Sequence, residues 1–147
     1  MGNIPPVLYF VLAFLEGISI FFFLFAFTKI IWTKKELLLF SVVYSVLTFV
    51  IRKLPISFGI HTLLLICLIA GFLSYYYNIK LSSTLFGMIL VYTVIIITEF
   101  FIAFLFTRVL SLQFDVVLSN PLWWFLSGLP HVILVFFLGI IIKNVGR

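Results

Sequence analysis

Five successive runs of about twenty apolar residues, set apart by short polar breaks, constrain this chain more than any other feature. A helix of about 20 residues spans the ~30 Å hydrocarbon core of a bilayer, because each residue rises about 1.5 Å. The runs cover 6–28, 36–52, 57–76, 82–107 and 121–142. Pro5-Pro6 opens the first, and the fixed φ of proline suits a helix start. Arg52-Lys53-Leu54-Pro55 breaks the chain after the second, and Asn120-Pro121 marks the start of the fifth. Composition agrees: 65% of residues are hydrophobic, 9% are charged and the mean hydropathy is +1.41. A soluble core of 147 residues could not hide that much apolar surface from water. The expected fold is all-α: one polytopic membrane domain over 1–147, a bundle of about five transmembrane helices.

Several function classes drop out at once. The net charge of +5 reflects a shortage of acids rather than a basic patch, so no nucleic-acid partner is expected. Cys67 is the single cysteine and lies in an apolar run, so the chain has no internal disulfide or Cys-rich metal site; no cofactor is expected. The amino end lacks a basic stretch and a cleavage site, and Pro6 stands where a myristoylation signal needs Ser or Thr, so the first run is expected to remain a span. No H-E-x-x-H, G-x-S-x-G or Walker A motif is present, and no enzyme is expected.

Basic residues set the expected orientation. Lys29, Lys34, Lys35, Lys80, Lys143 and Arg147 fall on one side, against Arg52, Lys53 and Arg108 on the other. The positive-inside rule then places the amino terminus outside and the carboxyl terminus in the cytoplasm, in the cell membrane of a bacterium. Aromatic residues mark the interfaces: Trp32 and Tyr75-Tyr76-Tyr77 at inner ends, Trp123-Trp124 at an outer one. The connection 108–120 has room for a short interfacial helix but for no soluble domain.

Ionisable groups at bilayer depth are costly to insert, by roughly 2.5–3.5 kcal/mol, and turn toward partners or a site. Glu16 falls near the middle of the first run and Glu99 in the outer half of the fourth. His61 lies one turn into the third, His131 near the middle of the fifth, and Arg52 closes the second. In this orientation the five line an outward-facing polar pocket closed below by hydrocarbon. Glu16 is expected to pair with His131, and Glu99 with Arg52 or His61; the same groups could instead be staples that hold helix order. Tyr92, Glu99 and Ala103 share one helical face, and Ala13, Glu16, Gly17 and Ile20 share another, with Ala13-xxx-Gly17 permitting close helix approach. Gly128 and Pro130 beside His131 predict a hinge in the last helix, since proline removes a backbone bond and bends a helix.

Taken together, Arg52-Lys53-Leu54-Pro55, Phe58-Gly59-Ile60-His61-Thr62, Glu99, Asn120-Pro121 and Gly128-Leu129-Pro130-His131 give a recognisable pattern. It resembles the amino-terminal transmembrane sensor region of Firmicutes sensor histidine kinases. In these a sporulation phosphotransferase-like dimerisation helix leads to a GHKL-type ATPase; the accessory-gene-regulator peptide receptors are related. The resemblance implies a two-component signalling input domain that binds a small or peptide ligand, forms a homodimer and acts on a cytoplasmic kinase or other signalling partner through its last helix. The chain carries no phospho-acceptor histidine region or ATP-binding motif, so an isolated sensor module or a stand-alone relative is expected. The rival expectation is a small ion- or proton-coupled transporter or accessory subunit, using Glu16, Glu99 and His131 as a relay.

Overall fold

The computed structural model describes residues 5–55, 58–109, 111, 116 and 119–146. Among the described residues five long helices follow one another: α1 (Pro6–Thr28), α2 (Lys34–Arg52), α3 (Phe58–Tyr77), α4 (Leu81–Phe104) and α5 (Pro121–Val145). A wider π-type turn, Leu105–Val109, prolongs α4. Pro6 and Pro121 occupy first helical turns as expected, and the Asn120 side chain accepts the Leu122 N–H at 3.0 Å. α2 begins two residues before the expected boundary. Thr33 and Glu36 form a capping box, in which Thr33 Oγ1 accepts the Glu36 N–H at 3.3 Å and the Glu36 carboxyl accepts the Thr33 N–H at 2.7 Å. Most of the expected interfacial helix, residues 110, 112–115 and 117–118, lies outside the described residues.

α1, α3, α4 and α5 are long and apolar enough to cross a membrane; α2, expected as a fifth span, is not among them. Its charges crowd both ends, with Lys34, Lys35 and Glu36 in the first turn and Arg52 in the last. Between them α2 is arranged opposite to a helix on a water-soluble protein. Leu38, Leu39, Val42, Val43, Val46 and Val50 are exposed, while Ser41, Ser45 and Thr48 are buried. Each of those hydroxyls donates back to its own helix: Ser41 to the Leu37 carbonyl (2.7 Å), Ser45 to Ser41 (2.8 Å), Thr48 to Ser45 (3.2 Å).

α1 is the centre of the bundle. It packs against α2, α4 and α5, while α3 leans on α4 and barely meets α2. Residues Phe21, Phe22, Phe23, Leu24 and Phe25 are all buried, which requires neighbours on every side of the helix. Small residues set the spacing. A Cβ on Gly17 would lie 3.0 Å from Ser41 Cα and 3.2 Å from Ser41 O, so α1 and α2 touch backbone to backbone there. On the opposite side, a Cβ on Gly139 would lie 3.2 Å from Phe23 Cα, and α5 nests on α1.

An aromatic layer closes the end of the bundle that carries Lys29, Lys80 and Lys143. Trp32 folds back to stack on Phe25, with centroids 5.7 Å apart, and Phe40 meets Phe72 at 5.3 Å and Tyr76 at 5.6 Å. Edge and face contacts of this kind each add about 0.5–1.5 kcal/mol beyond the area they bury.

Candidate functional site

The polar site lies in the other half of the bundle, where α1 to α4 converge around Glu16. α2 presents Ser41, Tyr44, Ser45, Thr48 and Arg52 at spacings of three and four, a polar stripe along one helical face. The small hydroxyls are satisfied within the helix, so Tyr44 and Arg52 are the members that reach outward. Tyr44 is almost fully buried, and its hydroxyl donates to Glu16 Oε1 at 3.0 Å. The Tyr92 hydroxyl of α4 lies 3.3 Å from that of Tyr44. Tyr44 has one proton, directed at Glu16, so Tyr92 donates to Tyr44 and the three groups form a directional chain.

Arg52 stands on the same cavity as this chain, and its guanidinium sits over the Tyr9 ring, 5.4 Å from the centroid. Tyr9 in turn stacks on Trp124 of α5 at 6.1 Å, tying the outer end of α1 to α5. A cavity of about 60 Å³ lies beside the chain, lined by Glu16, Tyr44, Arg52, Thr62, Tyr92 and Glu99, with His61 at its wall. That volume holds a few water molecules and lies far below the ~300–1,000 Å³ of drug-sized sites.

Of the five expected site residues, the structure gathers four at this cavity: Glu16, Arg52, His61 and Glu99. Glu16 is half-buried; Arg52 and Glu99 remain exposed at the mouth, so Glu99 is not turned fully inward as expected. His61 Nε2 lies 3.3 Å from the Leu54 carbonyl and helps close the α2–α3 corner. His131 stands apart. It is buried at 4% exposure, does not line the cavity, and neither ring nitrogen has a hydrogen-bond partner among the described residues.

The expected Glu16–His131 pair does not form. Glu16 takes the Tyr44 hydroxyl instead. The reason is rotational: Glu16 faces α2 and α4, whereas His131 belongs to the buried stripe of α5 whose Gly128 and Gly139 meet Leu12, Phe22 and Phe23 of α1. Gly128 and Pro130, the expected hinge, belong to a helix continuous from Pro121 to Val145. A Cβ on Gly128 would lie 2.6 Å from Leu12 Cδ2, so this glycine marks a packing contact with α1.

Tyr44 is the site residue that reading the sequence missed. Its signal was present as the three- and four-residue polar spacing of α2, a stripe set in an otherwise apolar run. No cluster of three or more metal-ligating side chains occurs among the described residues. Compared with known protein families, curated proteins and solved structures, the chain matches none.

Proposed function

We propose that this chain is a multi-pass membrane sensor module that receives an extracellular ligand at the Glu16–Tyr44–Tyr92 site. α2 acts as the fifth span: its 19 residues reach about 28 Å, its charges sit at both ends, and its apolar face points away from the bundle. With five spans the basic ends Lys29, Lys34, Lys35, Lys80 and Lys143 share the cytoplasmic side, and the amino terminus lies outside. The site then opens outward through the gap between α2 and α3.

The observation that carries this reading is the convergence of Glu16, Arg52, His61 and Glu99 from four helices on one cavity. The small volume limits what enters to one polar group of a small or peptide ligand, the remainder lying in the gap outside. Displacing α1 at Glu16 would shift α5, packed on α1 through Gly128 and Gly139 and continuous from Pro121 to Val145, and so carry the displacement to the inner end. The resemblance to histidine-kinase input domains supports a homodimer and a cytoplasmic signalling partner at that end.

Labelling tests the arrangement. In a Cys67→Ser background, Ile96→Cys at the cavity wall is expected to react with a membrane-impermeant maleimide applied to intact cells. Lys143→Cys is expected to react only after permeabilisation. The reverse pattern would refute an outward site.

The cavity volume favours one second reading, a proton or ion relay, because a few waters and a Tyr92–Tyr44–Glu16 chain are enough to pass a proton. Proteoliposomes with an internal pH dye separate the two. A sensor is expected to give no flux above empty liposomes; flux lost in Glu16→Gln would establish the relay.

A further inference from the structure

A second cavity lies at the opposite end of the bundle, where α1 and α5 finish. It encloses about 190 Å³ and is lined by Lys29, Ile30, Trp32, Ile142, Lys143 and Gly146 together with Phe25 and Ala26. Its shape follows from the chain reversal after α1. Lys29 adopts a left-handed backbone (φ 57°) and Ile30 N–H bonds back to the Phe25 carbonyl at 3.1 Å, which swings Trp32 across the helix end. The Lys29 side chain then reaches over Gly146, its Cε 3.8 Å from the position a Cβ would take there. Lys143 Nζ lies 5.5 Å from the Trp32 ring centroid and 5.6 Å from that of Phe22.

Two ammonium groups therefore flank one cavity that no carboxylate of the described residues lines. Glu36 is the only acid at this end among the described residues, and Thr33 occupies its carboxyl with both its N–H (2.7 Å) and its hydroxyl (2.9 Å). Ring faces hold Lys143 but supply no counter-charge. The outer side of the cavity continues onto apolar surface: Phe137, Ile141 and Val145 of α5 are 59%, 54% and 81% exposed. Cationic groups, an indole at headgroup level and an apolar runway below match an amphiphile with an anionic head.

We propose that the Lys29–Lys143 cavity binds the phosphate head of an anionic phospholipid, whose acyl chains lie along α5. This rests on the chain lying in a bilayer and not on the ligand or role of the Glu16 site. Bound there, the lipid bridges the ends of α1 and α5, the two helices through which the proposed signal passes.

The test uses the full chain in mild detergent with equimolar phosphatidylglycerol and phosphatidylcholine, read by native mass spectrometry. Phosphatidylglycerol is expected to be retained preferentially. Lys29→Gln with Lys143→Gln is expected to weaken its binding about thirtyfold, following roughly 1 kcal/mol for each of the two lysines near an anionic headgroup. Lys29→Arg with Lys143→Arg keeps the charge and is expected to keep the preference, which guards against loss through misfolding. Lys34→Gln with Lys35→Gln, outside the cavity, is expected to change retention less than twofold, an order-of-magnitude bound for surface charge. Equal retention of the two lipids, or an unchanged preference in the glutamine pair, would overturn the proposal. So would stabilisation by inorganic phosphate with no preference for phosphatidylglycerol, which would assign the cavity to a free anion.

Discussion

Gly17→Leu is expected to cost about 3 kcal/mol, measured as a lower SDS fraction at the unfolding midpoint in mixed micelles. A side chain at this position meets the Cα and carbonyl of Ser41 at 3.0 and 3.2 Å, backbone atoms that move only if α2 moves. Gly17→Ala tests the same contact with one carbon and is expected to cost about 1 kcal/mol, because the Ser41 backbone cannot yield as a flexible side chain would. The effect should reach the site as well. Tyr44 Cδ1 lies 3.1 Å from the same Cβ position, so pushing α2 outward lengthens the Tyr44–Glu16 bond. An unfolding midpoint equal to that of the unmodified chain in Gly17→Leu would show that α1 and α2 are not in backbone contact.

Tyr44→Phe is expected to cost about 2 kcal/mol, more than the ~0.6 kcal/mol average of a hydrogen bond between membrane helices. The larger figure follows from what is left behind. Glu16 loses the donor that reaches it at 3.0 Å, and Tyr92 loses the oxygen that accepts from it. Two polar groups then lose their protein partner and are left with only the few waters that the adjoining cavity can hold. Replacing Glu16 by an apolar group removes its share of that penalty and leaves that of Tyr92, so Tyr44→Phe in a Glu16→Leu background is expected to cost about 1 kcal/mol. A double-mutant cycle with the two costs additive to within about 0.5 kcal/mol would mean that the bond contributes nothing and the chain at Glu16 is incidental.

Much of the architecture can be read one helix at a time. Proline at 6 and 121, Asn120, and the Arg52-to-Pro55 break give helix ends within a few residues of those observed, because caps depend on neighbours in sequence. The capping box that moves the start of α2 back to Lys34 obeys the same local rule through Thr33-x-x-Glu36. The site was legible in part. A carboxylate or guanidinium inside an apolar run announces a polar interior, and Glu16, Arg52, His61 and Glu99 do share one cavity. Their hydrogen-bond partners were harder to read, since pairing depends on how each helix is rotated. His131 illustrates this: the spacing that places it at mid-depth is silent on which side of α1 the last helix lies.

The phenylalanines mark the boundary between the two kinds of information. In water, burial separates apolar from polar residues, so a hydropathy pattern reveals the inner face of a helix. In a membrane both the lipid and the protein interior accept Phe. The sequence Phe21-Phe22-Phe23 therefore reads the same whether it faces hydrocarbon tails or, as here, the helices packed around α1. Which solvent these helices need is a property of side chains taken singly, and composition decides it. That α1 is the hub, that Gly17 meets Ser41, and that Tyr44 rather than His131 serves Glu16 are properties of pairs distant in the chain, and only packing in three dimensions selects among them.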